Sequence, residues 1–180
     1  MLTDAALRER LDALKTPLTM CDQLELRPTP RQREVLGVLG TNPSFYQTVG
    51  DDRNEMGRAC LVYAMWRVLS VPCSSGIMLA SGRGQDGKIM EFLESVTQRI
   101  NPQLASVTGF PRWNVLRFSG QAIWELRMMA NVANIVQHRA PQAIVSVVFG
   151  ARGSDPAFVE SCKALEEHST HPKHTRIVVW

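Results

Sequence analysis

Apolar residues recur along the chain in blocks that change period. Residues 4–15 carry Leu7, Leu11 and Leu14 at helical spacing, which predicts an amphipathic helix, with a hinge following at Pro17. Thr29-Pro30-Arg31-Gln32 is a helix start: Thr29 caps, Pro30 suits the first helical position, and Gln32 stands where a capping-box partner belongs. Val35, Leu36 and Leu39 give that helix its apolar side, and Gly40 with Asn42-Pro43 ends it. Residues 45–49 predict a strand and residues 50–57 a polar loop. Residues 58–70 read as a helix that is apolar nearly all round (Cys60, Leu61, Val62, Tyr63, Met65, Trp66). Such a helix has to be buried against something large, usually a sheet.

The remaining pattern continues the alternation. A buried strand is expected at 76–80, a glycine-rich loop at 81–87, and a helix at 88–100 carrying Ile89, Leu93, Val96 and Ile100. A loop-rich stretch with breaks at Pro102, Gly109 and Pro111 leads to a strand at 114–118, and residues 121–138 predict a helix. In that helix Trp124, near Met128 and Val132, reads as core; paired with Arg127 it would offer a face to nucleic acid. Residues 143–149, Ala-Ile-Val-Ser-Val-Val-Phe, are the best central strand in the chain. Asp155-Pro156 opens a helix through Glu167, and residues 176–180 make a last strand. Strands alternating with helices predict a three-layer α/β fold with a mainly parallel sheet and helices on both faces. The expected organisation is an N-terminal helical arm over residues 1–24 and a single domain over 25–180.

Composition narrows the class. The chain has 180 residues, 44% hydrophobic and 21% charged, with a net charge of +3. Those values fit a globular domain and exclude collagen-like, disordered and disulfide-rich secreted classes. No apolar run approaches a membrane span and no secretory signal is visible, so no membrane partner is expected. The charge permits a nucleic-acid partner without requiring one. Cys21, Cys60, Cys73 and Cys162 are far apart and form no CxxC pair, which reads as reduced, mostly buried thiols. Cys162 with His168, His171 and His174 does not match a zinc spacing, and a polar loop is the better reading.

Two strand-to-helix junctions are candidate phosphate loops, where backbone N–H groups and a helix dipole would meet an anion. The more literal one runs Gly82-x4-Gly87-Lys88, with Gly84 completing GxGxxG. Ile89 follows, where a P-loop needs a hydroxyl for magnesium. The other spans Gly50 to Ala59, with Gly57-Arg58-Ala59 in place of Gly-Lys-Ser/Thr. Its context is better, because it opens the heavily apolar helix.

The order of the segments LRPTPRQREVL, FYQTVGDDRNEMGRACLVYAMWRVL, SSGIMLASGRGQDGKIMEFLE, AIVSVVFGARGSDPAFVE and HTRIVVW resembles the ATPase half of a bacteriophage terminase large subunit, the family that packages viral DNA into capsids. The resemblance implies a RecA-like, P-loop NTPase-like sheet. It places an adenine-contacting segment on Pro30-Arg31-Gln32, a phosphate loop on Arg53 to Ala59, and a metal-binding strand on Val145 to Gly150. Nucleotide-binding candidates are thus Gln32, Arg53, Gly57 and Arg58, with Gly82, Gly84, Gly87 and Lys88 as the second set. The departures are systematic: Arg58 for lysine, Ala59 for the magnesium-holding hydroxyl, Phe149-Gly150 for the acidic pair. Hydrolysis relies on that positioned charge and metal. The expectation is a degenerate ATPase with no catalytic residues and no protein metal site, binding ATP with magnesium weakly or not at all. The resemblance further implies DNA or other phage proteins as partners, oligomers as an option, and the host cytoplasm as the location. Two alternatives stand: an active P-loop motor fragment with an unorthodox loop, or a structural or inhibitory phage interaction protein.

Overall fold

The computed structural model describes residues 15–48, 53–71, 74–81, 91–92, 95–96, 99, 105–110, 113–118, 124–129, 133–150 and 156–179. Residues 4–14 of the expected first helix lie outside them, and residue 15 is not helical. In chain order the elements are α1 (Pro17–Gln23), α2 (Pro30–Gly40), β1 (Phe45–Thr48), α3 (Arg53–Ser70), β2 (Ser75–Ala80), β3 (Ala105–Phe110), β4 (Trp113–Phe118), β5 (Trp124–Met129), α4 (Ala133–Arg139), β6 (Ala143–Phe149), α5 (Pro156–His168) and β7 (Thr175–Val179). Residues 91–92, 95–96 and 99 are helical, as their apolar spacing predicts.

Among the described residues seven strands form one sheet in the order β1-β7-β6-β2-β5-β4-β3. β1, β7, β6, β2 and β5 run parallel, and β4 is antiparallel to both of its neighbours. β6 sits inside the parallel part and is buried at all seven positions, as its β-branched sequence requires of a strand covered on both faces.

Strand alternation sorts the core into two layers. Met78, Ala80, Val145, Val147, Phe149, Ile177 and Val179 face α1, α2 and α3. Ile77, Leu79, Val148 and Val178 face α4 and α5 through Val136, Phe158 and Leu165. Helices therefore cover both faces, and the architecture is three-layer α/β. α3 is apolar all round because it is the filling of a sandwich. One side lies on the sheet, and the other is covered by Met20 and Cys21 of α1 and Leu36 and Leu39 of α2. Fully buried side chains such as Tyr63 and Met65 are worth about 1.5–3 kcal/mol each on an area basis.

Four expectations need correction. Pro17 is no hinge: it occupies the first turn of α1, with Thr16 as the cap, a position where its missing N–H costs nothing. α3 begins at Arg53 rather than at 58, so the described end of the expected polar loop is helical. The loop-rich stretch contains β3. The expected helix over 121–138 is instead β5 followed by α4. β5 takes a ladder from β2 on one side and from β4 on the other, and that pairing overrides the helix propensity of Glu125, Leu126 and the two methionines. The helical spacing of Trp124 and Met128 therefore does not apply.

Candidate functional site

The C-terminal ends of the parallel strands are where open α/β sheets bind ligands. α3 starts at that end. Ser81, just past β2, donates its N–H to the Phe149 carbonyl (3.0 Å), which brings the ends of β2 and β6 together.

The capping box read from the sequence is present. The Thr29 hydroxyl oxygen accepts from the Gln32 N–H (3.3 Å), and Gln32 Oε1 accepts from the Thr29 N–H (3.0 Å). The box also reaches across to α3. Gln32 Nε2 donates to the Glu55 carbonyl at 3.0 Å, and the Thr29 hydroxyl donates to Glu55 Oε1. The start of α2 is thereby tied to the first turn of α3. An amide side chain has two N–H groups and two lone pairs on oxygen. Gln32 spends one of each on these bonds, leaving one of each for a ligand.

A cleft of about 520 Å³ opens beside this junction. Arg27, Pro28, Thr29 and Gln32 form one wall, and Glu55, Arg58, Ala59 and Val62 of α3 another, with Cys21, Leu26, Leu36 and Phe92 completing it. The Arg58 guanidinium lies over the Phe92 ring, 5.9 Å from its centroid, within cation–π range. Burial, helped by Asp22, pushes the Cys21 thiol up to about 11, so it is neutral at physiological pH.

The turn that delivers Arg27 is strained. α1 ends in a Schellman arrangement: Leu26 N–H reaches the Cys21 carbonyl (2.9 Å) and Glu25 N–H the Asp22 carbonyl (3.3 Å). Glu25 occupies the left-handed position, φ 55°, that glycine usually takes, and Arg27 also has positive φ, 30°. Arg99 holds this turn by donating from Nη1 to the Leu24 carbonyl at 3.0 Å and, more weakly, to that of Glu25 at 3.4 Å.

Of the first candidate set, Gln32 and Arg58 share the cleft. Arg53 is the first residue of α3. Gly57 departs from expectation. It is the fifth residue of the helix, not the mouth of a loop, and it is buried. A Cβ there would meet Phe149 Cε1 at 3.1 Å, so glycine allows the phenyl ring to lie against α3. The register is displaced because the helix starts five residues before Arg58. Gly82, Gly84, Gly87 and Lys88 lie outside the described residues. Cys21, Arg27 and Phe92 were not singled out for this site from the sequence. Cys21 and Arg27 come from α1 and the turn after it, Phe92 from a distant helical segment, and the fold brings them together.

The positions that the resemblance assigns to magnesium carry no ligand for it. Ala59, buried, has no hydroxyl, and the position expected to hold an acid carries the Phe149 ring instead. Around the histidines, His171 Nδ1 accepts the Lys173 N–H at 3.1 Å, and no group of three or more His, Cys, Asp or Glu converges as a metal site among the described residues. Among those residues no helix is long and apolar enough to cross a membrane.

No protein-family model matches the chain, and no curated protein matches it. Two solved structures are similar to it, both of the large terminase ATPase domain of Thermus phage P74-26. One, an arginine-to-alanine variant, has TM-score 0.56 and 15% identity, covering 84% of this chain and 69% of that one. The other has TM-score 0.52 and 13% identity, covering 84% and 68%. With the sheet order and two-sided helix cover described above, this chain has the fold of a phage large terminase ATPase domain.

Proposed function

We propose that this chain is a terminase-like domain that binds an adenine nucleotide in the Gln32–Glu55–Arg58 cleft and does not hydrolyse ATP efficiently. The observation that carries the binding half is the cleft itself. It combines an apolar floor (Leu36, Val62), an aromatic ring (Phe92), and an amide with a donor and an acceptor to spare (Gln32). An amide of that kind pairs with two atoms on the edge of adenine. The silent half is supported by Ala59 and Phe149, which supply neither metal ligands nor charge where phosphoryl transfer needs them. The wider role follows from the fold likeness: a nucleotide-responsive binder of DNA or of other phage proteins, connected with packaging.

The test is a thermal-shift series with adenine nucleotides, run beside phosphate release with magnesium. A nucleotide-dependent rise in Tm that Phe92→Ala removes is the expected result, with phosphate release no faster than the blank. Absence of any shift refutes the binding half, and robust turnover refutes the silent half.

A further inference from the structure

A site built for a triphosphate surrounds it with cations and backbone N–H groups at a helix N-terminus, usually with a metal as well. Among the described residues the cleft is lined differently. On the first turn of α3, where the helix dipole would draw a phosphate, stands the carboxylate of Glu55, fixed by the Thr29 hydroxyl. Arg58, one turn further on, has its guanidinium lying over Phe92. The charged side chains lining the cleft among the described residues are Arg27, Arg58 and Glu55, which sum to a single positive charge. Each phosphate beyond the first brings further negative charge that the Glu55 carboxylate repels.

The same groups suit the other end of a nucleotide. Glu55 has a second carboxylate oxygen, and Gln32 keeps one N–H and one lone pair. A base edge or a sugar hydroxyl can use all of these, and Phe92 with Arg58 offers a flat stack for the ring. We propose that the cleft is anchored on the base and selects a nucleoside or nucleoside monophosphate over the triphosphate, with Glu55 as the residue that excludes the longer phosphate chain. This rests on the reading above that the cleft binds an adenine nucleotide, and it inverts the preference of a phosphate loop.

The experiment is calorimetric titration of the full chain, without magnesium, using adenosine, AMP and ATP, repeated with Glu55→Gln. Adenosine and AMP should bind within about threefold of each other, and ATP about fivefold or more weakly, the size of one like-charge contact at about 4 Å in water. Glu55→Gln should close that gap, the ratio of ATP affinity to adenosine affinity rising about fivefold. ATP binding the wild type more tightly than AMP overturns the inference but leaves the cleft as a nucleotide site. A gap that persists in Glu55→Gln overturns the assignment to Glu55. If none of the three ligands binds, the reading of the cleft itself falls.

Discussion

The contact between Gly57 and Phe149 allows a quantitative check on how β6 meets α3. Replacing glycine by alanine inside a helix ordinarily stabilises by about 1 kcal/mol, because the backbone loses less freedom on folding. At Gly57 the new methyl would lie 3.1 Å from Phe149 Cε1 and 3.9 Å from Cδ1 and Cζ. Relaxed carbon pairs sit at about 3.5–4.0 Å. The ring must therefore retreat by about half an ångström, and Phe149 is only 8% exposed. Overpacking of this kind costs about 1–3 kcal/mol, so Gly57→Ala should be neutral to destabilising by about 2 kcal/mol. In a Phe149→Leu background the aromatic edge is gone, and the same substitution should stabilise by about 1 kcal/mol. The four proteins of the cycle are compared by urea unfolding, with m-values held equal. A coupling energy of about 1–3 kcal/mol is expected. If Gly57→Ala stabilises equally in both backgrounds, the ring does not lie against Gly57 and the account of this junction is wrong.

Two further outcomes follow. Burial, then the nearby charges of His171 and Arg176, lower the His174 pKa from 6.5 to about 4. The folded state therefore resists protonation. Stability is fully present above about pH 6.5 and falls as the pH drops towards 4, because the unfolded chain takes up the proton first. Allowing for partial solvent screening, the loss is on the order of 1–2 kcal/mol, and His174→Gln should flatten the curve in that window; an unchanged slope would refute the assignment. At the end of α1, Glu25→Gly should raise the urea midpoint by the equivalent of about 0.5–1 kcal/mol by removing the left-handed penalty of a residue with a Cβ. A fall would show that the Glu25 side chain does more than fill the turn.

What could be read from the sequence depended on whether the signal was local. The start of α2 was legible because Thr29, Pro30 and Gln32 carry their own capping chemistry. β6 was legible because Val145, Val147 and Val148 suit only a strand buried on both faces. β5 was not: Trp124-Glu-Leu-Arg-Met-Met prefers helix, and while Asn114 to Phe118 on one side is near in the chain, its partner on the other, Ser75 to Leu79, is distant. The same reason divides the site. Gln32 and Arg58 became candidates through the resemblance of their segments, whereas Phe92 and Arg27 reach the cleft only through folding. The left-handed turn at Glu25 gave no glycine to announce it.

The pairing of β1 with β7 has a kinetic consequence. Phe45 is in register with Arg176 and Thr48 with Val179, so the strand formed first during synthesis acquires its neighbour only after roughly 130 more residues have emerged. Closing so long a loop must precede the contacts that reward it, which slows assembly. On the ribosome, β1 and the apolar surface of α3 would wait without their sheet until β7 emerges, an interval in which exposed strand edge and apolar surface favour aggregation.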